Sequence, residues 1–265
     1  KNEGGLLPLA KDTASIAVIG PNADSLRNLM GDYSYPAHIE SLAESTTASV
    51  FETPAFADIA LVEHPVDMVS VLQGIQAQVS AATQVRYAKG CDVLSEDTSG
   101  FDEAVRIARE SAVAILVMGD KAGLTADCTT GESRDRAELG LPGVQEDLVR
   151  VVMATGTPVV LVLITGRPLT LTWMADEVPA ILEAWLPGEE GGNAVADILF
   201  GDANPGGKLT MAFPRHAGQI PVFYNHRPSG GRSHWQEDYV ETSVKPQYPF
   251  GFGLSYTEFK IDHLD

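Results

Sequence analysis

The 265-residue sequence has only two cysteines, no cysteines or histidines at metal-ligand spacing, and no glycine-rich phosphate loop. Its two cysteines, Cys91 and Cys128, form no Cys-x-x-Cys pair, so a zinc site of that kind is excluded. Two free thiols are favoured, although one disulfide between them stays open. The six histidines are scattered without metal-ligand spacing, and we predict no metal.

Positive charge is also scarce. Lysine and arginine number 18 against 36 aspartate and glutamate residues, which gives a formal net charge of -18. This balance argues against nucleic acid and against an anionic membrane surface as partners, and a solvated acidic surface is the ordinary interpretation. No apolar run approaches the roughly 20 residues that span a bilayer. Acidity and few cysteines fit either side of a bacterial membrane, so localisation stays open, as does a homo-oligomer.

Motifs for nucleotide cofactors and for serine nucleophiles are missing. The first apolar run ends in Gly20-Pro21-Asn22, not in Gly-x-Gly-x-x-Gly, and no P-loop is present. A Gly-x-Ser-x-Gly elbow is absent too. These absences argue against a dinucleotide site and a hydrolase serine triad, and we predict no cofactor.

Four short apolar runs, by contrast, are present and predict buried strands. They cover residues 15–20, 112–119, 158–165 and 180–185. Nearly every position in them is apolar, which is typical of parallel strands covered on both faces. Helical spacing of apolar residues occurs at 66–79, 101–112, 143–154 and 191–200. We therefore predict an α/β fold: a three-layer sandwich with a mostly parallel sheet and helices on both faces.

Two stretches lack this pattern. Residues 32–62 have weak periodicity and predict a long excursion over the surface. Proline and glycine dominate from residue 201 onward, which predicts an irregular tail (201–265) that wraps a single domain of residues 1–265. The first residues read as the middle of a longer protein, so we expect a fragment or a processed chain.

The most informative segment is the loop at residues 131–145, which is rich in charge and lies between two predicted buried elements. It follows the strand at 112–119 after a connection longer than is usual in α/β units, which favours a functional role. Ligands bind at the carboxyl ends of strands in open α/β sheets. Glu132 is therefore a candidate general acid. The alternative is a local ion-pair network that stabilises the loop.

Several segments together resemble glycoside hydrolase family 3 and occur in family order over nearly the whole chain. They are Lys1-Asn2-Glu3-Gly4-Gly5-Leu6-Leu7-Pro8-Leu9, Ile19-Gly20-Pro21-Asn22-Ala23, Gly131-Glu132 with Asp135-Arg136, Leu141-Pro142-Gly143-Val144-Gln145, Leu186-Pro187-Gly188-Glu189-Glu190-Gly191-Gly192, residues 201–209 and residues 248–257. The resemblance is to the C-terminal (α/β)6-sandwich domain of such enzymes.

What the resemblance implies is a retaining, exo-acting β-glycosidase of the β-glucosidase or β-xylosidase type, needing no cofactor and no metal. An N-terminal TIM-like barrel, absent from this chain, would carry the aspartate nucleophile, and the sandwich would supply the acid/base residue, here Glu132. Tyr33 stands where relatives can carry an aromatic near the aglycone, and Lys121 and Asp127 are possible lining residues. The expected ligand is a β-linked glucoside or related oligosaccharide, and this chain alone is expected to be inactive.

Two other functions stay open at this point. The domain could be a non-catalytic module that binds carbohydrate or another domain, in which case the Glu132 carboxyl would be dispensable. The same scaffold could also carry phosphorolysis in place of hydrolysis, which phosphate-dependent activity would reveal.

Overall fold

A five-stranded parallel sheet forms the centre of the protein. The computed structural model describes residues 1–48, 66–225 and 239–258, together with residues 260 and 262. The strands are β1 (Ser15–Ile19), β2 (Gln84–Ala88), β3 (Val113–Gly119), β4 (Val159–Ile164) and β5 (Ala180–Glu183), in the spatial order β2-β1-β3-β4-β5. Every pairing between neighbouring strands is parallel. The described residues thus hold five strands, where the (α/β)6 name implies six.

Within the described ranges, six α-helices lie between or beside the strands. They are α1 (Tyr35–Ala48), α2 (Val71–Gln78), α3 (Phe101–Arg109), α4 (Gln145–Met153), α5 (Thr172–Glu177) and α6 (Gly191–Phe200). Apolar side chains of α3, α4 and α5 join one core cluster with alternate residues of β3 and β4. Those of α2 and α6 join a second cluster with the remaining strand residues. Helices therefore cover both faces of a parallel sheet, which confirms the predicted three-layer α/β class.

The predicted surface excursion at 32–62 is wrong where the structure describes it. Residues Tyr35–Ala48 form helix α1, and residues 49–62 lie outside the described residues. Small and polar side chains weaken the apolar periodicity of α1. Ion pairs help to tie the helix to the domain, since Glu40 pairs with Arg27 and with Lys121. Sequence periodicity does not register such contacts.

Other boundaries also differ from the sequence pattern. Strand β2 was not predicted because it is an edge strand with half-exposed polar positions rather than an apolar run. Helix α5 was missed because it has only six residues. Helix α2 begins at Val71 rather than at residue 66. There the Ser70 hydroxyl accepts a hydrogen bond from the Gln73 backbone N–H, and the Gln73 side chain accepts one from the Ser70 N–H.

Close packing accounts for Gly191 and Gly192, whereas Gly188 has open space around it and a backbone φ of +80°. A Cβ atom on Gly192 would lie 2.1 Å from the carbonyl oxygen of Ser70, so α6 approaches the start of α2 without room for a side chain. The Gly192 N–H donates to the carbonyl of Val69 at 3.0 Å. This N–H at the start of α6 is therefore satisfied by the protein's own backbone.

The described residues after 201 contain one 3-10 helix, Ala217–Gln219, and otherwise irregular backbone. Backbone hydrogen bonds join the two described parts of this tail, from Leu209 to Phe252 and from Phe213 to Tyr248. Phe213 is 2% exposed and belongs to the core. A cavity of about 450 Å³ lies between β5 and the tail, and Glu183 is among its lining residues.

Both cysteines are buried and unbonded, which confirms the prediction of free thiols. In the part of the chain that the structure describes, no helix combines the length and apolarity needed to cross a membrane.

Candidate active site

The strand order places a crevice at the carboxyl end of β1 and β3. Chain connections leave β1 toward β2 on one side, whereas β3 continues toward β4 and β5 on the other. The loops that follow β1 and β3 therefore diverge, and ligands bind in such crevices in open α/β sheets. The loop after β1 carries Tyr33, and the loop after β3 carries Lys121, Asp127 and Glu132.

The structure brings Glu132 and Tyr33 together. The Tyr33 hydroxyl donates a hydrogen bond to Oε2 of Glu132 at 2.5 Å, across the crevice from the β1 loop. Both residues are exposed. This hydrogen bond to the Glu132 carboxylate is the main cause of a raised Tyr33 pKa, because loss of the phenolic proton would end it. Glu132 and Tyr33, which were predicted separately as site residues, are thus hydrogen-bonded to each other and face solvent.

Asp32, which the sequence did not single out as a site residue, fixes the backbone of Glu132. Its Oδ2 accepts a hydrogen bond from the Glu132 N–H at 2.5 Å. Gly131 makes this approach possible, because a Cβ there would lie 2.4 Å from the Asp32 carboxylate and the backbone has φ +127°. The Asp32-Tyr33 dipeptide therefore holds both the backbone and the side chain of Glu132.

Lys121 and Asp127 are joined to each other rather than to Glu132. The Lys121 ammonium donates to Asp127 at 2.7 Å and to Glu40 of α1 at 2.5 Å. Burial lowers the pKa of Lys121, but these two hydrogen-bonded carboxylates outweigh it and leave the pKa raised. Burial likewise raises the Asp127 pKa, and the bonds from Lys121 and Thr125 bring it below its usual value. The pair braces the loop against α1, and its role in substrate binding stays a prediction.

The charged loop is not an ion-pair network around Glu132. Arg134 directs its guanidinium to the backbone carbonyls of Cys128 and Ala126, at 3.0 and 2.5 Å. No salt bridge to Glu132 occurs within the described ranges. The alternative role of Glu132, as a member of a local ion-pair network, therefore lacks the contacts that it requires.

A buried carboxyl lies beneath the loop. Asp120, directly after β3, is fully buried, and its Oδ1 accepts a hydrogen bond from the Thr129 hydroxyl at 2.8 Å. Burial raises the pKa of Asp120, while the Thr129 hydrogen bond and the charges of Arg167 and Arg136 oppose that rise. No sequence pattern marks Asp120 as a site residue, because burial beneath a loop leaves no local signal.

This arrangement exposes the Glu132 carboxyl to solvent while two neighbouring residues hold it in place. Glu132 is exposed, is held at its backbone and side chain by neutral or anionic groups, and has no cationic partner among the described residues. Such a group can exchange a proton with a bound molecule without breaking a salt bridge. The loops after β1 and β3 line the crevice, and Glu132 and Tyr33 are exposed there.

Comparison with known proteins identifies the family. The profile described as glycosyl hydrolase family 3 C-terminal domain matches residues 1–256. The chain is 42% identical over 261 residues to a β-xylosidase of Formosa agariphila, covering 98% of this chain and 32% of that protein. It is 36% identical over 290 residues to a periplasmic β-glucosidase of Salmonella typhimurium, covering 100% of this chain and 34% of that protein.

Solved structures show the same fold. The β-glucosidase from Listeria innocua in complex with isofagomine superposes with a TM-score of 0.76 at 31% identity, covering 98% of this chain and 32% of that one. A β-glucosidase from Erythrobacter marinus gives 0.75 at 34% identity, covering 97% and 33%. The chain spans about one third of the length of the curated relatives it matches. It therefore belongs to glycosyl hydrolase family 3, as a member of the family's C-terminal domain.

Proposed function

We propose that this domain supplies Glu132 as the general acid/base of a retaining, exo-acting β-glycosidase. The active site is shared with a barrel that lies outside this chain and carries the aspartate nucleophile. Relatives named β-xylosidase and β-glucosidase support β-linked glucosides or xylosides as the substrate class. The barrel closes the open side of the crevice, so the chain alone is inactive.

The reaction has two steps in which Glu132 changes its protonation state. In the first, the barrel aspartate attacks the anomeric carbon while Glu132 gives its proton to the departing glycosidic oxygen. In the second, the Glu132 carboxylate takes a proton from water, which attacks the anomeric carbon and releases the aspartate. A retaining mechanism places the two carboxyls about 5–5.5 Å apart. That distance fixes how closely the barrel must approach the Glu132 loop.

The two hydrogen bonds that fix the exposed Glu132 are the observation that supports this proposal most strongly. Its carboxyl projects from the carboxyl edge of the sheet, with the Tyr33 hydroxyl on Oε2 and Asp32 on its backbone N–H. A proton donor must be exposed to the substrate and yet fixed in position. Glu132 meets both conditions.

Azide tests the proposal directly. In full-length Glu132→Ala, the glycosyl-enzyme lacks the base that activates water, whereas azide is a nucleophile that needs no base. We expect azide to raise turnover of an aryl β-glycoside severalfold or more and to yield a β-glycosyl azide. Glu138→Ala, on the same loop, should behave as the wild type and yield no azide product. Absence of rescue, or an α-configured azide, would refute the acid/base assignment.

Tyr33→Phe isolates the hydroxyl that contacts Glu132. The ring remains available to the aglycone, but the hydrogen bond to Oε2 is lost. Because this bond is exposed in the domain, its removal should lower kcat by about three- to tenfold with little change in KM. Tyr35→Phe, a neighbouring exposed tyrosine at the start of α1, is the matched control. If Tyr33→Phe and Tyr35→Phe have the same kcat, the Tyr33 hydroxyl does not assist the reaction.

A further inference from the structure

One arginine holds both ends of the segment that carries Glu132. Arg167 lies in the loop after β4, not in the Glu132 loop itself. Its Nη2 donates to the carbonyl of Thr129 at 3.1 Å and to the carbonyl of Arg134 at 2.8 Å. Its Nε donates to the hydroxyl of Thr130 at 3.3 Å. The segment between these contacts is short and contains Glu132.

The guanidinium is itself fixed by its surroundings. Arg167 comes shortly after the fully buried strand β4, and its positive charge acts on the buried Asp120 carboxyl. Asp120 in turn accepts the Thr129 hydroxyl hydrogen bond, so strands β3 and β4 both anchor the near end of the segment. The guanidinium reaches three acceptors from two nitrogens, Nη2 for the two carbonyls and Nε for the Thr130 hydroxyl, and the single nitrogen of a lysine cannot reproduce this set of contacts.

We propose that Arg167 is a positioning residue for the acid/base, acting through the segment that it bridges and not on the substrate. This inference rests on the proposed function of Glu132. Asp32 and Tyr33 hold Glu132 from the β1 side, and Arg167 holds the two flanks of Glu132 from the β4 side. The carboxyl is thereby fixed between two independent loops. Displacement of a catalytic group by about 1 Å can lower a rate by about 10²-fold.

Arg167→Lys separates positioning from simple stability. It keeps a positive charge beside Asp120 and therefore spares the buried carboxyl an unpaired state. Its single nitrogen cannot replace both Nε and Nη2, so the bridge over three acceptors is broken. In the full-length protein we expect kcat on a glycoside with a poor leaving group to fall about 10- to 100-fold, with KM and the unfolding temperature little changed. An activated aryl glycoside, whose departure needs little protonation, should lose only a few-fold.

Arg215→Lys is the matched control, because Arg215 also donates to two acceptors in another segment, the Lys245 carbonyl and the Gln247 side chain in the tail. It should leave both substrates unaffected. Glu132→Ala is measured in parallel. If it loses rate mainly on poor leaving groups while Arg167→Lys loses none, or loses equally on both substrates, the positioning role is wrong and the proposed function stands. If Glu132→Ala shows no leaving-group dependence, the proposed function fails and the positioning role fails with it.

Discussion

Replacing Glu132 with alanine in the full-length protein is expected to lower kcat/KM for a poor leaving group by about 10²–10⁴-fold, the range typical of general acid catalysis. The departing alkoxide then receives no proton in the transition state. An activated aryl glycoside should lose far less in its first step, because its phenolate departs unaided. Steady-state kinetics over a series of leaving groups measures this as a steeper dependence of log kcat/KM on leaving-group pKa.

The contrast between substrates is what identifies the acid, since a folding defect would lower every rate alike. Glu138→Ala is the appropriate control, because Glu138 is another exposed carboxyl of the same loop. It should show the wild-type dependence. A uniform loss for Glu132→Ala across the series would assign Glu132 a structural role. A carbohydrate-binding module would instead show a raised KM with unchanged kcat, or no effect at all.

The parts of the fold that the sequence predicted are those whose stability comes from continuous apolar burial. Strands β1, β3 and β4 are apolar at almost every position and are buried on both faces, so composition alone was sufficient. Edge strand β2 and helix α1 depend on contacts with distant residues. Glu40 of α1, for example, pairs with Arg27 and Lys121 from two different loops.

The sequence singled out only some residues of the candidate site, because the others contact the Glu132 loop from distant parts of the chain. A long charged loop after a buried strand singled out Glu132, and the family resemblance added Tyr33. Asp32 accepts a hydrogen bond from a backbone N–H of the loop, and Arg167 donates to a carbonyl of the loop. No local pattern in the sequence marks a side chain that binds the backbone of a distant segment. The sequence Gly166-Arg167-Pro168 is typical of a turn after a strand, and it does not indicate where the guanidinium lies. Three-dimensional contacts, rather than residue type, distinguish Arg167 from other surface arginines.

A second large effect is expected at Glu183, at the end of β5. Glu183 Oε1 accepts hydrogen bonds from the Thr165 hydroxyl and the Trp185 N–H, each at 3.0 Å. Its Oε2 is shielded from solvent and has no hydrogen-bond partner among the described residues. Burial raises the pKa of Glu183 from an ordinary 4.5 to about 8, with the nearby Asp120 adding to the rise and the two hydrogen bonds opposing it.

Stability should therefore fall as pH rises between the two pKa values. In that window the unfolded chain has released the Glu183 proton while the folded chain retains it, so each increase in pH favours the unfolded state. One pKa unit corresponds to about 1.4 kcal/mol, which makes the loss on the order of 3 kcal/mol between about pH 5 and about pH 8. Glu183→Gln is neutral at every pH and keeps the acceptor oxygen. It should match the wild type near pH 5 and be more stable near pH 8.

Urea unfolding of the 265-residue chain at the two pH values measures this difference, with Glu177→Gln as the control at an exposed carboxyl on the helix that precedes β5. The control should follow the wild-type pH dependence. Glu183 also lines the cavity beneath the tail, and that cavity decides the result. If water fills it and reaches Oε2, the carboxylate is solvated, the wild type and Glu183→Gln lose stability in parallel, and the raised pKa is wrong. If the mutant alone keeps its stability near pH 8, the end of β5 is dry and holds a protonated carboxyl.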